Sequence, residues 1–452
     1  MQFARNIALL WLWLATGIVI SAEPADVPQG ELSDQQLLET VQRQTFRYFY
    51  DFGHPECGLA LERSAPALRN SAGHPGLEHI VTTGGTGFGL MSFPIAVDRN
   101  WITREQAVQR LLKIVRFLEN VPRFHGMWAH WYMGDSGQVR PFSAKDNGGD
   151  LVESAFLLQG LLAVRQYFDA KNPEESELRN TITRLWHQAD WQWYTNDKPW
   201  LHWHWSPDFG FEMNMPIMGF DECLIVYVLA VASPTHPIDP SLYDSGWAKE
   251  TNKRMEGRGD YVQRLKISSA NPGGPLFFCH YSFLGFSPYF NDKYIQAAGY
   301  RDYAERHRAM VRQCIDWCQQ NGYPQNCWGL TSSDDPENGY RAHAANDGDR
   351  GDNGTIAPTA ALASIVYTPE ESLAFLRYLW ANHREQMWSE YGFRDAFNLR
   401  LNWFAPACLA IDQGPIVVMI ENYRTGRPWK QFMSIPEIRQ AMEKLNFQPT
   451  SP

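Results

Sequence analysis

The sequence predicts an all-α fold: a single domain in which helical hairpins close into an (α/α)6 toroid. Three observations favour this class. Apolar residues recur at helical spacing along most of the chain, strand-like alternation is scarce, and no linker composition separates Leu37 from Arg427. An irregular α-solenoid is the alternative, but no repeat of about 30–45 residues supports it.

Several helices begin at recognisable capping sequences. Ser33 to Gln36 and Thr103 to Gln106 are capping boxes, and Thr368 stands before a proline at the first helical position of a third helix. Further helical patterns cover 86–97, 150–169, 176–194, 217–232, 292–320, 356–366, 407–424 and 435–444. The patterns predict about eleven or twelve helices, with loops at one end of the toroid forming a cleft.

Residues 1–22 are typical of a signal peptide. Arg5 precedes an apolar run from Ile7 to Ile20, which is shorter than the roughly 20 residues of a spanning helix, and Ser21-Ala22 offers a cleavage point. No later segment has a transmembrane composition. We therefore expect an extension at 23–36 and one domain at 37–445, in a periplasmic or secreted monomer.

Charge and cysteine content narrow the possible partners. A net charge of −10 without a basic stripe argues against nucleic acid. The seven cysteines are compatible with a disulfide among Cys314, Cys318 and Cys327, or with buried free thiols. Their spacing matches no common metal motif, so we expect no structural metal site.

Two loops resemble ligand motifs without matching them. The acidic stretch 334–353 contains Asp347, Asp349 and Asp352, but their spacing misses the EF-hand pattern. TTGGTGFG, Thr82 to Gly89, follows no predicted strand, and we interpret it as a tight turn beside the cleft, not a dinucleotide fingerprint. Neither a nucleophile elbow nor a P-loop is present, and no cofactor is expected.

The aromatic content indicates a carbohydrate ligand. The chain has 18 Trp, 19 Tyr and 25 Phe, most of which core packing would explain. Yet MWAHWYMGD, LHWHWSPDFGFEMN and CHYSFLGF mix aromatic residues with polar ones. A sugar ring needs both kinds of neighbour, because its faces carry C–H groups and its edges carry O–H groups. The expected sugar-contacting residues are Trp131, Trp203, His204, Glu212, His280, Tyr340 and Phe397.

KDNGGDLVES supplies two candidate catalytic carboxylates, Asp146 and Asp150. Gly148 and Gly149 let the backbone fold tightly, so that both carboxylates can face one small space. Helix capping is the alternative for Asp150, because Glu153 follows it at capping-box spacing.

Glu222 is the third candidate, at the start of an apolar run that begins at Cys223. A carboxyl group at such a place is expected to be partly desolvated, which keeps it protonated as a general acid. The alternative is again structural, since Asp221 or Glu222 suits the first turn of a helix.

Several long motifs together resemble the bacterial glucoamylase-like exported proteins, a family that includes endo-β-1,2-glucanases. They include TTGGTGFGLMS, KDNGGDLVESAFLLQGLLA, LHWHWSPDFGFEMNMPI, DNGTIAPTAALASIVYTP, YGFRDAFN and IDQGPIVVMIENYRTG, in the family's order. The resemblance implies an (α/α)6 fold and inverting hydrolysis of β-1,2-glucan, either endo-acting or exo-acting with release of sophorose. It also points to Asp146, Asp150 and Glu222 as the candidate catalytic acids. In a glycoside hydrolase, Glu222 would be the general acid and Asp146 or Asp150 would help to activate water.

Two other functions stay open at this point. A polysaccharide lyase would need positive charge or a metal beside a uronate, which the net charge and the acidic candidate site disfavour. A non-catalytic glycan-binding protein is the other alternative. In each case the expected partner is an oligo- or polysaccharide, with no nucleic acid and no membrane after signal cleavage.

Overall fold

The computed structural model describes residues 32–64, 77–249, 260–346 and 351–451. Within these ranges the protein is rich in helix. The α-helices are α1 Asp34–Tyr50, α2 Thr83–Leu90, α3 Ser92–Asp98, α4 Arg104–Asn120, α5 Leu151–Tyr167, α6 Pro173–His187, α7 Leu224–Ala232, α8 Tyr261–Leu265, α9 Lys293–Ala297, α10 Tyr303–Gln320, α11 Pro358–Ala363, α12 Pro369–Met387, α13 Ala410–Thr425, α14 Arg427–Met433 and α15 Pro436–Lys444.

The strands of the described residues are short and pair antiparallel. They are β1 Ile80–Thr82, β2 Trp131–Met133, β3 Val139–Arg140, β4 Gly149–Asp150, β5 Leu201–His202, β6 His204–Trp205, β7 Pro216–Ile217, β8 Phe290–Asn291, β9 Ser332–Asp335, β10 Gly339–Ala342, β11 Thr355–Ile356, β12 Trp388–Ser389, β13 Gly392–Phe393, β14 Phe397–Asn398, β15 Trp403–Phe404 and β16 Gln448–Pro449. Several of them pair within the loops between helices. The candidate site lies among these loops.

Some predictions fall outside the described residues: the signal peptide at 1–22, the extension up to residue 31, and Asp347 and Asp349. Across the described part of the chain, no helix is long and apolar enough to cross a membrane. All seven cysteines are described, and each is buried and free, so the free-thiol alternative is confirmed.

Most predicted helices form, with differences at their ends. The capping boxes of α1 and α4 are both confirmed. At α12 the proline occupies the first turn as expected, but the Thr368 side chain makes no capping hydrogen bond, so that part of the prediction is wrong. The helix predicted at 86–97 is divided at Met91, and the one predicted at 292–320 is divided before the N-cap Asp302.

The helices occupy two kinds of surroundings. In α2, α5, α7, α11 and α13 nearly every residue is buried, whereas α1, α4, α6, α10 and α12 each have exposed residues along one face. Helix α13 packs against α2, α2 against α5, α5 against α7, and α11 against α13. The wholly buried helices are therefore neighbours, and amphipathic helices lie outside them. The loops that enter α5 and α7 carry the candidate catalytic carboxylates.

The glycine-rich stretch TTGGTGFG differs from its prediction. It follows β1 directly, and its residues form most of helix α2 instead of a turn. Gly87 of this stretch serves packing, because a Cβ there would lie 2.2 Å from the carbonyl oxygen of Phe156 in α5. From the other side, a Cβ at Gly160 of α5 would lie 2.0 Å from the carbonyl oxygen of Gly87. Helices α2 and α5 thus cross in backbone contact, which only glycine permits at these positions.

Gly87→Ala should therefore destabilise the protein, although alanine normally favours a helix over glycine by about 1 kcal/mol. Overpacking costs about 1–3 kcal/mol, and here the obstacle is backbone, which cannot rotate away. Urea denaturation measures the change. The control is Glu385→Ala at an exposed site of α12, which should stay within about 0.5 kcal/mol. A Gly87→Ala variant as stable as wild type would show that the two helices can separate freely.

Candidate active site

A cavity of about 530 Å³ is lined by residues from the loops before α5 and α7. Its volume lies in the range of pockets for small ligands, about 300–1,000 Å³. It contains these predicted residues: Asp146, Asp150, Glu222, Trp131, Trp203, His204 and Tyr340. It also contains residues that sequence reasoning did not select, among them His130, Phe142, Glu153 and Tyr281.

Asp150 lies at the junction of β4 and α5 and has two functions. Its Oδ1 accepts hydrogen bonds of 3.0 Å from the backbone N–H groups of Val152 and Glu153, so it caps α5 as predicted. Its Oδ2 lies 3.1 Å from His130 Nδ1 and 3.3 Å from His204 Nε2. The residue is completely buried, and both carboxylate oxygens are engaged. Capping and a place at the cavity are therefore compatible.

Asp146 faces the same two histidines. Its Oδ2 lies 3.2 Å from His204 Nε2 and 3.8 Å from His130 Nδ1. The glycines beside Asp150 serve close packing and not a left-handed turn, since neither has a positive φ and a Cβ at Gly149 would lie 1.9 Å from the Oη of Tyr194. Asp146 Oδ1 is buried and accepts no hydrogen bond from the described residues. Of the four carboxylate oxygens of Asp146 and Asp150, it is the one without a hydrogen-bond partner among the described residues.

Glu153 was predicted only as part of a capping box, and that prediction is wrong. Its carboxylate does not return to the N-cap of α5. Instead, Oε2 accepts a hydrogen bond of 2.7 Å from the backbone N–H of Gly84 in α2, and Oε1 lies 4.0 Å from His130 Nε2. A Cβ at Gly84 would lie 2.5 Å from Oε2, so the glycine makes room for the carboxylate. Its spacing could have indicated a place at the site, because Glu153 lies one helical turn after Asp150 and therefore on the same side of α5.

Two imidazoles and three carboxylates share this space and alter one another's charge. Burial alone would lower the pKa of His130, but the carboxylates, Glu153 foremost, raise it to about 9. Burial also opposes a charge on His204, yet Asp150 and Asp146 raise its pKa to about 9. Burial would raise the pKa of Asp150, but the histidines hold it well below its usual value. Burial and the neighbouring aspartates raise the pKa of Glu153 to about 7, against the opposing effect of His130.

Glu222 enters the cavity from a separate loop. The residue after Cys223 begins α7, in which every side chain is buried. Asp221 Oδ1 accepts a hydrogen bond of 2.9 Å from the backbone N–H of Cys223, so Asp221 takes the structural role at this helix start. Ser282 Oγ donates to the carbonyl oxygen of Glu222 and ties the loop to a neighbouring segment. The Glu222 side chain is half-buried and lines the cavity.

A second acidic cluster lies near the cavity and was not predicted. Arg63 binds both carboxylate oxygens of Asp334, at 3.0 and 3.1 Å, and the backbone N–H of Asp334 donates to Asp395 Oδ2 at 2.6 Å. Burial, and then Asp334, raises the pKa of Asp395 to about 7. Burial and Asp395 together raise the pKa of Asp412 well above its usual value. The residues of this cluster are far apart in sequence, so no local sequence pattern predicts it.

Three predicted sugar-contacting residues do not line the cavity. Glu212 is exposed and forms an ion pair of 3.0 Å with Lys145. His280 is buried, with its Nε2 3.0 Å from Ser364 Oγ, and burial lowers its pKa to about 3. Phe397 is buried in β14. Polar and aromatic spacing does not distinguish a ring that faces a cavity from one that packs in the core.

The described residues include two groups whose geometry suits a metal ion. One consists of His130, Asp146 and Asp150, with ligand atoms within 4.8 Å of one another. The other consists of Asp221, Glu222 and Cys223. In the first group, protonated His130 and the neighbouring His204 offset the negative charge of Asp146 and Asp150. The absence of a metal ion from this site stays a prediction.

The raised histidine pKa values predict a loss of stability at alkaline pH. A histidine with a pKa of about 9 in the folded chain and about 6.5 in the unfolded chain stabilises the fold fully below pH 6.5, and this contribution disappears as pH rises through 9. Glu153 acts in the same direction between its ordinary value of 4.5 and about 7. The urea midpoint should therefore fall from about pH 7 to about pH 9, above the range in which buried neutral histidines such as His280 make stability rise with pH.

His204→Gln is the comparison for this pH dependence, because glutamine cannot titrate. The variant should be less stable than wild type near neutral pH, and its stability should change less steeply between about pH 6.5 and 9. Equal slopes for both proteins would mean that His204 is already neutral in the folded state.

Comparison with known proteins supports a family assignment. Residues 214–436 match the family model described as "Putative glucoamylase". The endo-β-1,2-glucanase of Chitinophaga pinensis, solved with sophorotriose and glucose, is 44% identical, and the match covers 92% of this chain and 99% of that one with a TM-score of 0.83. The endo-β-1,2-glucanase of Talaromyces funiculosus shares only 12% identity over 92% of this chain and 91% of that one, with a TM-score of 0.61, and supports the fold alone.

A further relative is the exo β-1,2-glucooligosaccharide sophorohydrolase (non-reducing end) of Parabacteroides distasonis, which is 42% identical over 439 residues. The match covers 92% of this chain but 58% of that protein, so the chain spans little more than half the length of this relative. The class is set by the helix-rich fold that this chain shares with the two solved endo-β-1,2-glucanases. The chain itself belongs to the glucoamylase-like family that contains the Chitinophaga endo-β-1,2-glucanase, and the resemblance inferred from the sequence motifs is confirmed.

Proposed function

We propose that this protein is a glycoside hydrolase that cleaves β-1,2-glucan or its oligosaccharides with inversion at the anomeric carbon. The observation that carries the proposal is the meeting of Glu222 with the Asp146–Asp150 pair in one cavity, which aromatic rings also line. The names of the relatives from Chitinophaga and Parabacteroides supply the linkage.

In the proposed mechanism, Glu222 donates its proton to the glycosidic oxygen as the bond to the anomeric carbon breaks. A water molecule attacks that carbon from the opposite face and passes its proton to Asp146, either directly or through a substrate hydroxyl. Asp146 is preferred over Asp150 as the proton acceptor, because both oxygens of Asp150 are held by the helix cap and the histidines. Asp150 then acts as a positioning residue that keeps both imidazoles charged and in place.

Glu153 is the rival for the role of general acid. Its raised pKa of about 7 suits a group that must be protonated near neutral pH. However, Oε2 is occupied by the N–H of Gly84, and the group lies against His130. We assign the acid to Glu222, which comes from a different loop than Asp146 and is more exposed to the cavity.

Aromatic rings supply the apolar contacts for sugar faces. Trp131, Trp203 and Tyr340 line the cavity as candidate platforms. Phe142 joins them: its ring is 51% exposed, stacks on His130 at 4.2 Å between centroids, and meets Trp131 edge-on at 4.9 Å. In this arrangement Phe142 extends over the histidine that the carboxylates charge, so a bound ring would touch both an aromatic face and a hydrogen-bond donor.

The proposal includes a closed (α/α)6 toroid spanning 37–445. Partly exposed and wholly buried helices alternate along the chain, and this order supports five outer and inner pairs: α1 and α2, α4 and α5, α6 and α7, α10 and α11, and α12 and α13. The buried segment Leu276–Phe283 would supply the sixth inner element. Export through the signal peptide and action as a periplasmic or secreted monomer complete the proposal, and the composition of residues 1–22 supports export.

Digestion of a panel of linear β-1,2-, β-1,3- and β-1,4-glucans tests the function. We expect a new reducing end from β-1,2-glucan alone, with proton NMR in the first minutes showing the α-anomer. Products of mixed length would indicate endo action, whereas sophorose alone would indicate exo action. A first product in the β-anomeric form would contradict inversion. An unsaturated product that absorbs ultraviolet light would support a lyase, and binding without turnover would support a glycan-binding protein.

A further inference from the structure

A second cavity, of about 440 Å³, opens on the surface near the start of the loop that follows α6. We call it the Trp193 site. It shares no lining residue with the candidate active site. Its lining consists of Asp190, Gln192, Trp193, Asn196, Asp197, Phe211 and His236.

The centre of the Trp193 site is an exposed indole. The Trp193 residue is 41% exposed, an unusual state for so large an apolar side chain. The imidazole of His125 stacks on the indole, with 3.7 Å between ring centroids and 12° between planes. The stack fixes the plane of the indole and leaves part of the ring in the cavity.

The backbone holds this stack rigidly before any ligand arrives. His125 has a φ of 51°, a left-handed conformation that few residues other than glycine adopt. Its carbonyl oxygen accepts a hydrogen bond of 3.0 Å from the backbone N–H of Asp190, and the Asp190 side chain accepts one of 3.0 Å from the N–H of Trp193. Because the two rings are already held in place, they lose little conformational entropy when a ligand binds, and this favours affinity.

The rest of the lining supplies hydrogen-bonding groups. Gln192, Asn196 and Asp197 are exposed, and Asn196 and Asp197 both have left-handed φ values, 49° and 55°. Burial lowers the pKa of His125, so the stacked imidazole is neutral at neutral pH. The lining contains carboxylates, amides and His236, whose Nδ1 lies 3.7 Å from Asp190 Oδ1, but neither lysine nor arginine. This chemistry suits an uncharged ligand with many hydroxyl groups and an apolar face, and it disfavours an anionic one.

We propose that the Trp193 site is a non-catalytic binding site for a glucosyl unit of a β-linked glucan chain. The choice of glucan rests on the proposed function. Trp205 connects the two sites: its ring lies 4.8 Å from that of His125, and its backbone pairs with Gly149, the neighbour of Asp150. A chain long enough to occupy both sites is held near the catalytic cavity, because the second contact becomes intramolecular.

The effect depends on chain length. Trp193→Ala should raise KM for polymeric glucan by about 3–10-fold, the size expected for loss of one aromatic stack. It should leave kcat, and KM for short oligosaccharides, unchanged. Gln192→Ala, which keeps the stack, should have a smaller effect of the same kind. Tyr423→Ala removes an exposed aromatic ring on α13 and is the matched control.

Binding is measured independently of turnover, by affinity electrophoresis of each variant through gels that contain β-1,2-, β-1,3- or β-1,4-glucan. We expect Trp193-dependent retention by β-1,2-glucan, with thermal melting showing that each variant is folded. Retention and KM values for Trp193→Ala and Gln192→Ala equal to those of Tyr423→Ala would overturn the proposal. If Trp193→Ala does not fold, Gln192→Ala decides between these outcomes.

The two proposals fail in different ways. If the wild type does not hydrolyse β-1,2-glucan, the proposed function fails, yet Trp193-dependent retention by any linear glucan still supports the binding site. If hydrolysis occurs but no variant of the Trp193 site alters retention or the KM for polymer, the binding site fails and the function stands.

Discussion

Glu222→Gln should lower the turnover of β-1,2-glucan by about 10²–10⁴-fold, the usual contribution of a general acid. The amide keeps the size of the side chain and removes only the transferable proton. Because Asp221 makes the hydrogen bond at the start of α7, the fold should be unaffected. Isothermal calorimetry with an oligosaccharide should show a Kd close to that of wild type.

A substrate that needs no acid provides the control for Glu222. A nitrophenyl glycoside of sophorose carries a leaving group that departs without a proton, so its hydrolysis by Glu222→Gln should be far less impaired than that of the natural linkage. Glu153→Gln, made in parallel, should affect both substrates alike if Glu153 only supports His130. Selective rescue of Glu153→Gln instead would transfer the role of general acid to Glu153.

Asp146→Asn and Asp150→Asn should fail in different ways, although both remove one negative charge from the same cluster. Asn caps a helix as well as Asp does, so the start of α5 survives in Asp150→Asn. However, the buried charge between His130 and His204 is lost, and removing one partner of a buried ion pair costs about 3–5 kcal/mol. We expect Asp150→Asn to be less stable, and its alkaline loss of stability to begin at a lower pH, since the pKa of both imidazoles falls.

Asp146→Asn should mainly lose activity, by about 10²-fold or more if Asp146 accepts the proton of the attacking water. The bond between Asp150 and the histidines remains, so the loss of stability should be smaller than in Asp150→Asn. Urea midpoints and kcat for both variants, measured across pH, separate the two roles. Near wild-type turnover of Asp146→Asn would exclude it as the base, and an unchanged midpoint of Asp150→Asn would exclude the buried ion pair.

Part of the site was accessible from sequence because it is local. Asp146 and Asp150 are only four residues apart, so a short loop keeps their carboxylates close together. The two glycines between them leave room for Trp205 and Tyr194. The helix after Asp150 was equally local, since an N-cap and an apolar run are decided within a few residues. The role of Glu153 could not be predicted from the sequence, because its carboxylate accepts a hydrogen bond from Gly84, which belongs to a different helix.

The sequence by itself determined the helical class, the main helix starts, the family and the three candidate carboxylates, because propensity, capping and motif order are properties of short segments. Only the tertiary structure decided that His130 and His204 sit between the carboxylates, and that Arg63, Asp334, Asp395 and Asp412 form a second cluster. It also separated the aromatic residues of the cavity from those of the core. The physical reason is that the burial of a side chain and the charges around it depend on residues distant in sequence, and both shift its pKa.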